Sequence, residues 1–348
     1  MKYINIYNTQ SFDDNKVALD NLPYYTVLNT DNDTIYLKKK FIFHYKISDY
    51  LIQNVQPQYN NKLPLISRCD LFKRIIIDGE EIDLSSKIRE PHQFTTSGND
   101  LIFELGSLIL NDNGFNENYV LTKTFDKPIS GIIEVELNNN VQTLIGAFMF
   151  DVCLSSIDAR IFQEVPFNST MSLFSSCSHL TTLNLQMLNT NNVTNMFSMF
   201  ANCNDLNSIL MTNFNTSQVK DMNSMFMSCN NLITLDLTHF DTTNVTTMYS
   251  MFLNCKKLVS LDLSSFSTIN VNDMASMFDG CTNLYQLKLN QFSIKNVKDM
   301  ARMFHNCDSL NEITCTQEFQ NWCFLNQNII ELPLSMRERG SGKWIIIN

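Results

Sequence analysis

The sequence predicts a β-rich N-terminal region followed by a solenoid, with one strand and one short helix in each 26-residue coil. Three observations carry that prediction. Cysteines at 177, 203, 229, 255, 281 and 307 are each separated by 26 residues. Within that period, leucines alternate with polar residues as a short half-buried strand requires. Residues 41–140 hold several β-branched and aromatic runs and no ten-residue helical pattern.

The period holds in many columns. Valines stand at Val193, Val219, Val245, Val271 and Val297, and methionines at Met196, Met222, Met248, Met274 and Met300. A second methionine column runs Met199, Met225, Met251, Met277 and Met303, a phenylalanine column runs Phe174, Phe200, Phe226, Phe252, Phe278 and Phe304, and a leucine column runs from Leu180 to Leu310. So many columns in register define a tandem repeat.

One unit explains the rest. Leu258-x-x-Leu261-x-Leu263 reads as a strand with its leucines inward, followed by Phe266 and a polar turn, Ser267 to Asn270. Val271, Met274, Met277, Phe278 and Cys281 then recur at i, i+3, i+6, i+7 and i+10, the spacing of one helix face. Asn192, Asn244, Asn270 and Asn296 precede the valines where N-caps are expected, with Gln218 the exception. Asp221, Asp273 and Asp299 fall in the first turn, where a helix dipole favours an acid. Such a unit is a leucine-rich-repeat coil. Phe150 and Cys153 stand 24 residues before Phe174 and Cys177, which predicts a two-residue deletion and places Cys153 at the head of the cysteine column.

The chain therefore divides into a short β module at 1–40 suited to attachment, an antiparallel β domain at 41–140, the leucine-rich-repeat solenoid at 141–320 and a C-terminal cap at 321–348. About six to seven coils are expected in the solenoid. In the first module Asn29 to Asp33 is a polar turn between apolar runs, and Lys38-Lys39-Lys40 reads as a solvated edge. The β domain draws on Phe41 to Ile47, Lys73 to Ile77, Leu101 to Leu105 and Ile132 to Leu137, with Asp78-Gly79 as a hairpin turn. The cap has to cover apolar core at the solenoid's end, and its strand Ile345-Ile346-Ile347 needs a pairing partner.

Composition excludes several classes of function. Of 348 residues, 25 are Lys or Arg and 35 are Asp or Glu, a net charge of -10 that disfavours nucleic acid as a partner. No stretch approaches a membrane span, and the N-terminus shows no apolar signal region, so the ten cysteines are expected as reduced thiols. With nine glycines there is neither a dinucleotide finger nor a phosphate loop, and no cofactor is expected.

Candidate chemistry is sparse. The cysteine column could hold disulfides or a metal, but equivalent positions on an apolar face and the lack of C-x-x-C or Cys/His spacing favour packing. The methionines also read as core. His44, His92, His179, His239 and His305 share no column, and Asp221, Asp273 and Asp299 could align on a cation or simply compensate a dipole. Catalytic and metal residues are therefore expected to be none. The best candidate site is the strand face pointing away from the core: Thr234, Asp236 and Thr238, then Ser260, Asp262 and Ser264, then Gln286, Lys288 and Asn290. Concave faces of such solenoids commonly bind partners.

Leu261-Asp262-Leu263-Ser264-Ser265-Phe266, continuing through Asn270-Val271-Asn272-Asp273-Met274 to Met277-Phe278-Asp279-Gly280-Cys281, closely resembles the BspA-like leucine-rich repeat family. The resemblance covers residues 141 to about 316 and implies a binding scaffold, often on bacterial surfaces, without enzymatic activity. Leu22-Pro23-Tyr24-Tyr25 followed by Asp31-Asn32-Asp33-Thr34-Ile35-Tyr36 is similar to a short module opening virion proteins of phages that infect gut Bacteroidetes. Phe72 to Ile82, Phe94 to Gly98 with Ile102 to Leu105, and the closing Leu332-Pro333 with Gly340 to Trp344 resemble other segments of such proteins. Together these imply a virion component that contacts other virion proteins through its N-terminal β region and displays repeats to a protein or cell-surface glycan. A bacterial cell-surface adhesin is the alternative, and the oligomeric state stays open.

Overall fold

The structure, a computed structural model, describes residues 41–87 and 119–347 except positions 50, 60, 62, 86, 139–140, 158, 164, 166 and 338–339, together with the strand backbones 2–5, 25–31, 34–39, 110–111 and 114–115. It is β-rich with few helices.

Strands β1 (Lys2–Asn5), β2 (Tyr25–Asp31) and β3 (Thr34–Lys39) form an antiparallel sheet in the order β1-β3-β2, with Asp31 opposite Thr34 at the hairpin end. The side chains of Lys38-Lys39-Lys40 lie outside the described residues. Next come β4 (Phe41–Ile47), β5 (Leu63–Ile66), β6 (Phe72–Ile77), β7 (Glu80–Glu81), β8 (Leu110–Asn111), β9 (Gly114–Phe115), β10 (Leu121–Lys123), β11 (Ile129–Leu137) and β12 (Leu154–Ser156). Five of them build an antiparallel sheet in the order β12-β4-β11-β6-β7. The segments Phe94 to Gly98 and Leu101 to Leu105 lie outside the described residues.

Alternation places this sheet on its core. Phe41, Phe43, Tyr45 and Ile47 are buried while His44 and Lys46 are exposed. Asp78 and Gly79 turn β6 into β7 with φ of 50° and 88°, the left-handed pair a two-residue hairpin needs. The Asp78 carboxylate also accepts from the Tyr45 hydroxyl at 2.6 Å and the Ile132 amide at 2.9 Å.

The first repeat unit is stitched into this sheet. β12 pairs with β4, and Phe148 lies 5.5 Å from Phe43 on one side and 5.5 Å from Phe174 on the other. Phe148 is thus 26 residues ahead of Phe174, and Asp151 stands 26 ahead of Cys177. The deletion expected from Phe150 and Cys153 does not exist. Phe150 instead matches Ser176, with φ of 65° and 64°. Asp151 is buried and accepts from the Ser67 hydroxyl, just beyond β5. Beside it the fully buried Arg68 donates to both oxygens of Asp70, at 2.9 and 2.7 Å, and to the Ile145 carbonyl at 2.9 Å.

In the repeats the strands are β13 (Thr182–Asn184), β14 (Ser208–Leu210), β15 (Ser260–Asp262), β16 (Gln286–Leu289), β17 (Glu312–Thr316) and β18 (Lys343–Ile347). β13 pairs with β14, and β15 to β18 pair in sequence order, all parallel. From β13 to β17 each step along a sheet joins residues 26 apart, as in Leu261 opposite Leu287. The unit between the two sheets carries no strand at 234–236.

The short helix expected in each unit is absent. Among the described residues, the segments from the valine to the cysteine of each unit are chains of tight turns. Met199 N–H donates to the Met196 carbonyl, Ala201 to Ser198 and Cys203 to Phe200, each a three-residue step rather than the four of an α-helix. The intervening amides reach the next unit instead: Ser198 to Asn223, Phe200 to Met225 and Asn202 to Met227. Two left-handed residues per unit, such as Ser198 and Asn202 with φ of 51° and 61°, break the helical path. The apolar spacing still sends Val, Met, Met, Phe and Cys inward. Gly280 takes the second left-handed place with φ of 74°, where a Cβ would meet the Asn254 side chain.

Inside, the rings from Phe148 to Phe304 stack at 5.4–5.9 Å between centroids. A second column, Phe214, Phe240 and Phe266, stacks at 6.2–6.3 Å. Buried threonines Thr190, Thr216, Thr242 and Thr268 form a column that hydrophobicity did not reveal. The Thr216 hydroxyl donates to the Asp241 carbonyl and accepts from its amide, both at 2.8 Å. With no helix to cap, the expected N-cap asparagines serve as lateral links instead: Asn244, Asn270 and Asn296 donate to carbonyls 27 residues back at 2.7–2.8 Å.

The far end is closed by α1 (Gln317–Leu325), capped by the Thr316 side chain, and by β18. Phe319 packs edge-on to Phe292 at 5.8 Å, and Phe304 N–H donates to the Ile330 carbonyl at 2.9 Å, continuing the backbone links into the cap.

Candidate partner-binding face

Alternation in β15 and β16 buries Leu261, Leu263, Leu287 and Leu289 and turns Ser260, Asp262, Gln286 and Lys288 outward. Parallel register sets Ser260 beside Gln286 and Asp262 beside Lys288. Lys288 Nζ lies 2.7 Å from Asp262 Oδ2, while Asp262 Oδ1 accepts from Ser264 N–H at 3.0 Å. Gln286 donates to Glu312, whose other oxygen lies 3.5 Å from Lys343. Burial pushes the Asp262 carboxyl up, but the hydrogen bonds and charge of Lys288 and the Ser264 contacts outweigh it and hold it below the ordinary range.

The remaining candidates sit off the strands. Thr234 and Asp236 are exposed in the unit that lacks one, and Thr238, Ser264 and Asn290 lie in the turns that follow. Asp236 accepts from the Thr238 hydroxyl at 2.6 Å and its amide at 3.1 Å, and these bonds hold its carboxyl below the usual value. The structure thus joins Asp262 with Lys288 laterally, whereas Asp236 is held by its own turn.

Sequence reasoning missed an apolar column beside this face. Ile233, Val259 and Tyr285 are 26 residues apart and all exposed, Tyr285 at 50%. The Tyr285 and Val259 backbones are linked at 2.8 Å, and Asn311 donates to the Tyr285 hydroxyl at 3.1 Å. The same column reads Thr181 and Asn207 in earlier units, so an average over units hides it.

The other candidates resolve into structural partners. All ten cysteines are buried, and none is joined in a disulfide. The six of the repeat column donate to phenylalanine carbonyls 29 residues back at 2.9–3.2 Å. Burial pushes the Cys203 and Cys255 thiols up to about 12. Asp221, Asp273 and Asp299 have no helix dipole to compensate. Each accepts from the amide two residues on, at 2.8–2.9 Å, closing a local turn. Burial raises the Asp221 and Asp273 carboxyls despite those bonds. His179 pairs with Asp205 at 2.8 Å, His239 with the Met211 carbonyl at 2.9 Å, and His305 lies between Asp279 at 2.7 Å and Glu331 at 3.4 Å. His44 is exposed, and His92 lies outside the described residues. Among the described residues no group of three or more His, Cys, Asp or Glu could hold a metal ion, and no helix is long and apolar enough to cross a membrane.

These features define the class as a β-rich protein with a tandem-repeat region. A family model described as Mycoplasma protein of unknown function, DUF285, matches residues 168–268 and 228–328, a span within the repeats and the start of the cap. No curated protein matches the sequence.

Proposed function

We propose that the 26-residue units wind into a leucine-rich-repeat solenoid and that the chain is a non-enzymatic interaction scaffold, a bacteriophage virion structural or host-contact protein. The observation that carries this reading is the lateral alignment of outward residues, Ser260 with Gln286 and Asp262 with Lys288, on a rigid buried spine. Such a surface suits a protein or cell-surface glycan partner. The N-terminal β region would join it to other virion proteins, as its likeness to phage modules suggests. Mass spectrometry of purified particles tests the assignment: the protein should co-purify at stoichiometric level, and its absence overturns the virion reading. Replacing Asp236, Asp262 and Lys288 together with alanine should lower particle adsorption to host cells without altering the circular dichroism spectrum. Undiminished adsorption removes this face from the binding role.

A bacterial cell-surface adhesin with the same repeats is the second reading, favoured by the description of the matching family as Mycoplasma proteins. It requires the protein to be labelled on intact cells by a membrane-impermeant reagent.

A further inference from the structure

β18 closes the repeat sheet, yet its sequence is that of an interior strand. Trp344-Ile345-Ile346-Ile347 is a continuous apolar run without proline, the pattern of strands covered on both faces, and the strand's one charge, Lys343, lies 3.5 Å from Glu312 on the neighbouring strand. Among the described residues no strand pairs with its outer edge. The three most exposed large apolar side chains among them, Leu325 at 85%, Leu334 at 77% and Ile329 at 59%, belong to this same terminal unit. Leu325 ends α1, whose Phe324 packs against Trp344 at 5.4 Å.

The backbone parity of β18 is fixed. Lys343 pairs with Glu312 and donates to the Asn311 carbonyl at 2.8 Å, so odd-numbered residues bond to β17. Trp344 and Ile346 consequently aim their N–H and C=O groups at the open edge. Their side chains face the core, opposite buried Ile313 and Cys315, while Lys343, Ile345 and Ile347 share the outward face with Glu312, Thr314 and Thr316.

We propose that a second copy of this chain pairs with that edge, β18 against β18 in antiparallel register about a two-fold axis at Ile345. This register sets Trp344 opposite Ile346 of the other copy, so both edge-facing residues of each strand are satisfied by four hydrogen bonds. Because the paired positions have the same parity, core-facing side chains meet core-facing ones and Ile345 meets Ile345. A two-fold contact of one strand with itself needs no second surface and closes the assembly at two copies. Leu325 and Leu334, exposed in the same terminal unit, supply apolar surface at the end where the two copies meet.

Cysteine cross-linking of the full chain tests the register. Two residues facing each other in a non-hydrogen-bonded antiparallel pair have Cα atoms about 4.5 Å apart, within the disulfide range of about 4.4–6.8 Å. Ile345→Cys should form a covalent dimer on mild oxidation, and because all ten native cysteines are buried the cross-link reports this position. Ser260→Cys, exposed on the same face in β15, should stay monomeric under the same treatment. Wild-type protein should sediment at twice the monomer mass at micromolar concentration, and Ile345→Lys, which opposes two like charges across the axis, at the monomer mass with an unchanged β spectrum. A monomeric wild type overturns the proposal, as does an Ile345→Cys variant that cross-links no better than Ser260→Cys.

Discussion

Asp151 and Cys177 hold the same place in consecutive 26-residue units, one a buried acid and the other a buried thiol. The thiol donates to the Phe148 carbonyl at 2.9 Å, as every later cysteine of the column does to its own phenylalanine. The acid instead faces Ser67, and through that contact the first repeat unit is fastened to the segment just beyond β5.

The acid at this junction makes stability depend on pH. Burial raises the Asp151 carboxyl to about 8 from 3.8, the Ser67 hydroxyl and amide offsetting only part of the shift. A folded-state value above the unfolded one means the folded chain holds the proton more tightly. This contribution is therefore fully present below the unfolded value and is lost as pH rises through the folded one. Wild type should lose about 1 kcal/mol of stability per pH unit across that window from this group alone. Asp151→Asn should remove that slope. Urea unfolding of both proteins at several pH values is the check, and parallel pH profiles would rule the junction acid out as the cause.

The buried threonine column should be sensitive to loss of its hydroxyl rather than of its shape. Thr216 serves both the carbonyl and the amide of Asp241, each at 2.8 Å. Thr216→Val keeps the volume but leaves both backbone groups unpaired, at a cost of about 2–4 kcal/mol. Thr216→Ser keeps the bonds and loses one methyl, about 1 kcal/mol. Equal urea midpoints for the two variants would show that the hydroxyl contributes nothing.

The columns of the repeat were legible in the sequence because burial follows periodicity alone. The Val, Met, Phe, Cys and Leu columns from Val193 to Leu284 are buried as the spacing requires. Local conformation was not, since the spacing i, i+3, i+6, i+7 and i+10 suits a helix face and a chain of tight turns equally. The discriminating residues were the polar ones, Ser250 and Asn254 with their equivalents in other units, which adopt left-handed φ. Gly280 in the same column as Asn254 was the visible sign. In the first unit Cys153 is a false anchor for the register, because it lies two residues beyond the place that the later cysteines hold. An aspartate there breaks the apolar pattern, and its partner Ser67 lies 84 residues away. Outward positions of the candidate face followed from strand alternation, but the lateral pairing of Asp262 with Lys288 and the Ile233–Val259–Tyr285 column depend on contacts between units.

Burial should also silence the thiols. All ten are covered, and values pushed up to about 12 for Cys69, Cys203, Cys255 and Cys315 leave almost no thiolate at neutral pH. Titration with a chromogenic disulfide at pH 8 should find essentially no prompt reaction in the native protein and ten equivalents after denaturation. Two or more promptly reacting native thiols would contradict the packed spine.

Left-handed serines are a reserve of stability. Ser250 has φ of 53°, is buried, and its hydroxyl carries no hydrogen bond. Glycine at this position relieves a left-handed penalty of about 1–2 kcal/mol and removes a buried polar atom that costs about 1–3 kcal/mol when unpaired. Against this stands the greater freedom of glycine in the unfolded chain, about 0.5–1 kcal/mol. Ser250→Gly should therefore raise stability by at least about 1 kcal/mol, an uncommon sign for a core substitution. Ser250→Ala separates the two causes, since it deletes the hydroxyl but keeps the backbone penalty. Its urea midpoint should fall between those of wild type and Ser250→Gly, and a glycine variant no more stable than wild type would mean that neither strain nor the lone hydroxyl is stored there.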